Sequence, residues 1–467
     1  MLINNIIFNA NKTNYSSYQQ INSKKGLEKN NRLTAGCSDY YNKINISFSG
    51  LTFGNNYPSS KYNKDHFRGC LLGGAVGDAL GAKIEAWTYE DIKKIFGSKG
   101  LQNMLTTNGE AYITDDTQMT LFTALALIRT KLANKGNIEK EQCLEEMTKA
   151  YQEWYITQSR LPDNVNDINS NCLLSDKRLY ARRSPGITCL ESLKISENIG
   201  SIQEPKNNSK GSGGVMRCAP IGLLLSDNPD FAFEIGAQSA ALTHGNPAGY
   251  LPAGALSYLI ANIIRGMDIK ISVNQTIDKL LNEGEAGYET VHLICKALAL
   301  SSNSKFDDEE AISQIGKGFT GDEALAIAIY SSLKYSDNYR LGVIASINHS
   351  GDSDTTGAIT GNILGAYLGE DKIPSKYKNK LELSDVLTQI ADDLYFSIID
   401  IKDAQQKYGV TPVFATSEDA MKYDTFDFKS KKIHFSKEDI QKMNSTSLEN
   451  ALKYRSYLIK NKKYTEN

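Results

Sequence analysis

Gly351-Asp352-Ser353-Asp354-Thr355-Thr356-Gly357-Ala358-Ile359-Thr360-Gly361-Asn362-Ile363-Leu364-Gly365-Ala366 sets two carboxylates in a short polar turn ahead of a run of small residues. Glycines recur at 357, 361, 365 and 369, a spacing of four that puts them on one face of a helix. A glycine inside a helix costs about 1 kcal/mol relative to alanine. Four on one stripe therefore point to a need for a smooth surface, and the simplest such need is close approach of another helix. The two acids then stand on a tightly packed support, as a site of fixed geometry requires.

A second stripe of the same spacing, at Gly69, Gly73, Gly77 and Gly81, supplies a candidate partner. G-x-x-x-G spacing is familiar from membrane helices. Here Asp78, Lys83 and Glu85 accompany it, so a buried helix of a soluble protein is expected. No strand precedes these glycines, which argues against a dinucleotide fingerprint. No apolar run approaches the roughly 20 residues needed to span a bilayer.

The chain has 467 residues, with 52 basic and 54 acidic side chains. That balance gives no electrostatic footprint for nucleic acid. Residues 1–62, rich in Asn, Ser, Tyr and Lys, read as a polar, mobile extension with a short strand near Ile44 to Phe53. Residues 413–467 read as a Lys-rich tail. Seven scattered cysteines without a C-x-x-C pair suit reduced thiols and a cytoplasmic location rather than a disulfide framework. Met1 to Ala10 lacks the basic start of a Sec signal, which leaves only a non-Sec route to secretion. Between the tails, helical patterns cover 139–160, 231–242, 249–265, 274–283, 287–301, 307–315, 321–335 and 384–399, and strand signals are sparse. Leu341 to Ile347 is short and apolar, and the core is expected to be mostly α.

Thr114, Asp115 and Asp116 begin a second helical run, where capping is the ordinary use of such residues. If they meet Asp352, Asp354 and Thr355, four aspartates share one small space, which demands cations. All the donors are oxygens, favouring Mg²⁺ or Mn²⁺ over zinc, and four aspartates balance two divalent ions. Two other schemes fit the same turn. An EF-hand start matches Asp352, Asp354 and Gly357, but position twelve is Ile363, where a glutamate is needed. An aspartyl-phosphatase D-x-D-x-T pattern also matches, with Leu341 to Ile347 as its strand and Asp392 and Asp393 as later ligands. The downstream sequence shows no series of apolar strands to support it. Lys210-Gly211-Ser212-Gly213-Gly214-Val215-Met216-Arg217 is a Gly-rich turn that can present N–H groups to a phosphate, without the Lys-Ser/Thr of a Walker loop.

Jointly, these motifs resemble the ADP-ribosylglycohydrolase family, of the dinitrogenase-reductase-activating and ADP-ribosyl-acceptor-hydrolase type, over about residues 66 to 400. The resemblance is carried by Gly77 to Gly81 with Glu85, Thr114 to Met119, Gly211 to Arg217, Thr243-His244-Gly245, and Asn348 to Ala358. It implies a compact all-α fold of orthogonal helices, over residues 63–412, with a binuclear Mg²⁺ (or Mn²⁺) cleft. Carried over, Thr114, Asp115, Asp116, Asp352, Asp354 and Thr355 would be the metal ligands, with Asp354 bridging. Asp354, Asp116 and Glu85 would be catalytic. Asp78, Gly211, Ser212, Gly213, Gly214, Val215, Met216, Arg217, His244 and Gly351 would bind substrate. Tyr180 to Thr188 resembles a loop rimming the cleft. The implied activity is hydrolysis at C1″ of ADP-ribose on an acceptor, a protein arginine first or else a small molecule, by a monomer. A module that holds ADP-ribose without cutting it is the alternative.

Overall fold

The two glycine stripes meet. In the computed structural model, a helix over Lys64–Gly81 (α1) and one over Ser353–Leu368 lie against each other in opposite directions. A β-carbon built at Gly69 would fall 2.3 Å from the Gly365 carbonyl oxygen, at Gly73 2.5 Å from that of Gly361, and at Gly77 2.0 Å from that of Gly357. Gly81 closes the series opposite Ser353. Both helices are buried all round, from Gly69 to Gly81 and from Ser353 to Ala366, as central helices without a solvent face must be. The antiparallel register brings the C-terminus of one and the N-terminus of the other to the same end of the molecule. Asp78, Glu85, Asp352 and Asp354 are therefore delivered together by backbone packing alone.

Gly77→Ala separates two effects of opposite sign. Helix propensity favours the alanine by about 1 kcal/mol. The new methyl would press on a helical backbone carbonyl that cannot rotate away, and overpacking costs about 1–3 kcal/mol or more. A net loss of about 2 kcal/mol is expected in urea unfolding, and an alanine variant more stable than the parent would show that the helices are not this close.

The structure describes residues 63–134, 136–159, 172–194, 198–396 and 407–410. The expected strand near Ile44 to Phe53, the N-terminal extension and the Lys-rich tail lie outside them. After α1 come α2 (Tyr89–Phe96), α3 (Asp115–Ala133), α4 (Lys140–Ser159), α5 (Cys172–Ser175), α6 (Ile187–Lys194), α7 (Ala219–Leu224), α8 (Pro229–Ala241) and α9 (Pro247–Ile264). Then follow α10 (Ile269–Leu281), α11 (Tyr288–Ser301), α12 (Asp308–Ile315), α13 (Gly321–Lys334), α14 (Tyr339–Ile347), α15 (Ser353–Leu368), α16 (Ser375–Lys378) and α17 (Ser384–Phe396). Among the described residues there is no strand, only isolated bridges. No helix among them is long and apolar enough to cross a membrane. The six described cysteines are all free thiols.

Two expectations change. Leu341 to Ile347 is not a strand but most of α14, whose start is capped by the Asn338 side chain accepting the Leu341 N–H at 3.0 Å. Asp392 is tied to Arg68 by contacts of 2.6 and 2.5 Å, and Asp393 accepts the Tyr408 hydroxyl at 2.5 Å. The phosphatase scheme thus loses its strand and its later ligands. Asn246-Pro247 starts α9: Asn246 caps it, with its side chain accepting the Ala248 N–H at 3.0 Å.

Candidate metal centre

Three chain segments converge at the shared end of α1 and α15: the turn after α1, the start of α3 and the start of α15. Asp78 is the post between them. It is 0% exposed, and its carboxylate accepts the Thr114 N–H at 3.0 Å, the Thr117 N–H at 3.2 Å and the Thr117 hydroxyl at 2.5 Å. A carboxylate accepting N–H groups at a helix start is favourably placed. Asp78, expected among the substrate-binding residues, therefore holds α3 in place from a fully buried position.

Thr114 caps α3, its hydroxyl accepting the Asp116 N–H at 3.3 Å. Asp352 stands at the N-cap of α15 without capping it. Its Oδ2 instead accepts the Ser212 hydroxyl at 2.8 Å, so the Gly-rich turn is fastened to the acid cluster. The two halves touch where the Thr355 hydroxyl donates to Asp116 Oδ1 at 3.4 Å. Glu85, Asp352 and Asp354 bring one oxygen each within 4.8 Å of one another, which adds Glu85 to the possible ligands.

The electrostatics of this cluster are adverse without a cation. Burial pushes the carboxyls of Asp115, Asp116, Asp352, Asp354 and Glu85 above their ordinary values. Mutual repulsion adds to the rise at Asp354, from Asp352, Asp116 and Glu85. Asp116 Oδ2 and Asp354 Oδ1 are buried without a hydrogen-bond partner. A buried anionic oxygen lacking a donor is costly, and a hard cation would satisfy both. The residues present therefore fit a Mg²⁺- or Mn²⁺-type ion, and the acidic group could hold one.

Backbone contacts frame the cluster. Asp352 N–H donates to the Lys317 carbonyl at 2.8 Å, and Ser212 N–H to that of Phe319 at 3.2 Å. Gly351 packs against Lys317 so tightly that a β-carbon would fall 1.9 Å from its carbonyl oxygen, a reason for glycine there that involves no substrate. Across the cluster, Arg183 carbonyl accepts the Asp115 N–H and Gly186 N–H donates to Asp115 Oδ2, both at 3.0 Å. Ser184, between them, lies beside Glu85 and tempers the rise that burial gives its carboxyl.

Within the Gly-rich turn, Gly211, Ser212 and Gly213 keep some exposure, while Gly214, Val215 and Met216 are buried. Arg217 is fully buried: it lies over the Tyr151 ring at 4.2 Å and donates to Ser239 carbonyl at 3.0 Å and Thr243 Oγ1 at 2.9 Å. It supports the turn from below and does not reach the cleft. His244 is 2% exposed, and its Nδ1 pairs with Thr243 Oγ1 at 2.8 Å. Burial, with Arg217 nearby, lowers its pKa to about 3. It is a neutral prop under Gly211 and Gly213, whose added β-carbons would sit 3.2 Å and 3.0 Å from its ring. The Lys317 and Phe319 carbonyls carry site contacts that sequence reasoning misses, because backbone partners leave no side-chain signature.

The family description ADP-ribosylglycohydrolase matches residues 59–402. The ADP-ribosyl-[dinitrogen reductase] glycohydrolase of Rhodospirillum rubrum is 27% identical over 68% of this chain and 91% of its own length. The ADP-ribosylhydrolase ARH3 of Mus musculus is 25% identical over 69% of this chain and 90% of its own, and that of Gallus gallus 26% identical over 70% and 92%. The match spans all five motifs and every segment that builds the acid cluster, and the chain belongs to the ADP-ribosylglycohydrolase family of glycosyl hydrolases.

Proposed function

We propose that this chain hydrolyses the bond joining C1″ of ADP-ribose to an acceptor, with ADP-ribosyl-arginine on protein as its first substrate. The observation that carries this reading is the pair of unsatisfied buried oxygens, Asp116 Oδ2 and Asp354 Oδ1, beside the partly exposed turn Gly211 to Gly213. Two Mg²⁺ or Mn²⁺ ions held by Thr114, Asp115, Asp116, Asp352, Asp354 and Thr355, with Glu85 alongside, would supply positive charge that orients ribose hydroxyls and lowers the pKa of water. Asp354 or Asp116 accepts the proton of the attacking water. Glycosidic cleavage passes through an oxocarbenium-like state. Glu85, half-buried and with its pKa raised by burial, steers the distal ribose and can carry a proton to the leaving group. Gly211, Ser212 and Gly213 seat the diphosphate. Asp115, Asp116, Asp352 and Asp354 balance two divalent ions, and Glu85, when ionised, adds one negative charge that suits an ADP-ribosylated guanidinium, cationic in the bound substrate and leaving as a neutral guanidine. The free thiols support a cytoplasmic setting.

A panel of arginine-, serine- and nucleobase-linked ADP-ribose, followed for release of free ADP-ribose, tests this reading. Arginine-linked substrate is expected to be cleaved fastest. Tight binding of ADP-ribose with no release from any member of the panel would convert the assignment to a binding module.

A further inference from the structure

Glu382 is far in sequence from the metal centre, yet it holds both flanks of Asp115. It is 3% exposed and lies in the turn leading into α17. Its two oxygens are divided: Oε2 accepts the Ile113 N–H at 3.2 Å, and Oε1 accepts Arg183 Nη2 at 3.0 Å. The segment carrying Ile113 runs beside the one carrying Glu382, with Ala111 N–H donating to Lys380 carbonyl at 2.7 Å and Glu382 N–H to Ala111 carbonyl at 3.0 Å. Ile113 is the last residue before the Thr114 cap, so this pairing sets where α3 begins. Arg183 is gripped on its other side, its guanidinium stacked over the Tyr112 ring at 4.1 Å.

Arg183 begins the strap that crosses Asp115. As described above, its carbonyl takes the Asp115 N–H and Gly186 N–H reaches Asp115 Oδ2, while Ser184 between them lies beside Glu85. Ser184 has a φ of +51°, a left-handed conformation that a serine keeps only when its surroundings impose it. The surroundings here are the Asp115 contacts on either side of it and the Arg183 anchor behind it.

We propose that the Glu382–Arg183 pair is a positioning clamp for the metal centre: it seats residues 183–186 against the start of α3, so that Asp115 and Glu85 are presented together to the ion. Neither clamp residue is among the proposed metal ligands, and the pair acts through the Asp115 contacts of residues 183–186. The inference rests on the metal-centre reading above, and its test separates the two. Groups that orient ligating side chains typically change metal affinity by about 10–100-fold when removed.

The probe is Mn²⁺ alone, titrated into the full chain at neutral pH and read from the paramagnetic resonance signal of free Mn²⁺. Arg183→Met and Glu382→Gln are each expected to weaken binding about tenfold or more. The double variant is expected to be no weaker than the worse single, because the two residues form one unit. Arg183→Lys should recover part of the affinity. Arg183 is partly exposed, so its variants remain informative if Glu382→Gln fails to fold, and circular dichroism checks this. Variants that bind Mn²⁺ within about threefold of the parent, while only their urea midpoints fall, would reduce the pair to a structural ion pair and overturn the proposal. A parent chain that binds no Mn²⁺ would overturn the metal centre, and the clamp with it.

Discussion

Asp354→Ala is expected to cut turnover by about 10³-fold and to weaken Mg²⁺ binding, while the metal-free fold stays at least as stable as the parent at neutral pH. The two halves of this result have one cause. Asp354 is buried at the start of α15 with Oδ1 unpartnered, and its carboxyl is raised by burial first and then by Asp352, Asp116 and Glu85. Removing it takes away a ligand and a candidate base, but it also removes a repelling charge that no donor compensates. An ordinary core substitution would instead lower stability by about 2–5 kcal/mol. Thermal unfolding in chelator, beside an assay of ADP-ribose release, reads both. Turnover at the parent rate would remove Asp354 from the site, and a collapsed metal-free fold would make it a structural residue.

Chelated protein is expected to lose stability as pH rises from about 5 to about 8, and Mg²⁺ to restore it most at the upper end. Burial raises the folded-state pKa of Asp115, Asp116, Asp352 and Asp354, and takes Asp78 from 3.8 to about 6 against the pull of its Thr117 and Thr114 hydrogen bonds. The folded chain thus retains protons that the unfolded chain has already released. Stability is present below the ordinary carboxylate range and falls as pH climbs through the raised values. Asp78 alone, shifted from 3.8 to about 6, corresponds to about 3 kcal/mol. Metal ions compete with those protons, so their stabilising effect grows with pH. Melting temperatures across this range, with chelator and with Mg²⁺, check the sign. A chelated chain that grows more stable over the same window, unmoved by Mg²⁺, would contradict it.

The glycine spacing makes two smooth helices legible because four glycines in a helix are too costly to be neutral. What the spacing omits is the partner. Either stripe could pack on any small-residue face, and only the structure shows Gly77 against Gly357 and Gly73 against Gly361. Thr114-Asp115-Asp116 is legible in both its readings at once: the threonine caps, and the aspartates face the cluster. Depth is the harder property. Asp78, Arg217 and His244 sit beside exposed-looking glycines in sequence, but Thr117, Tyr151 and the Gly211–Gly213 turn meet them from other parts of the fold. Leu341 to Ile347 is short enough that an apolar run fits strand and buried helix equally, and the Asn338 cap is the local signal for helix. Glu382 has no local signal at all, since its partners stand 269 and 199 residues away.

Release of free ADP-ribose from an ADP-ribosyl-arginine peptide, measured first with Mg²⁺, then after chelation, then with Mg²⁺ restored, tests the central claim most directly. The acid cluster described here predicts turnover that stops with the chelator and returns with the ion. Release that continues undiminished in chelator would contradict a metal-dependent site built on Asp116 and Asp354.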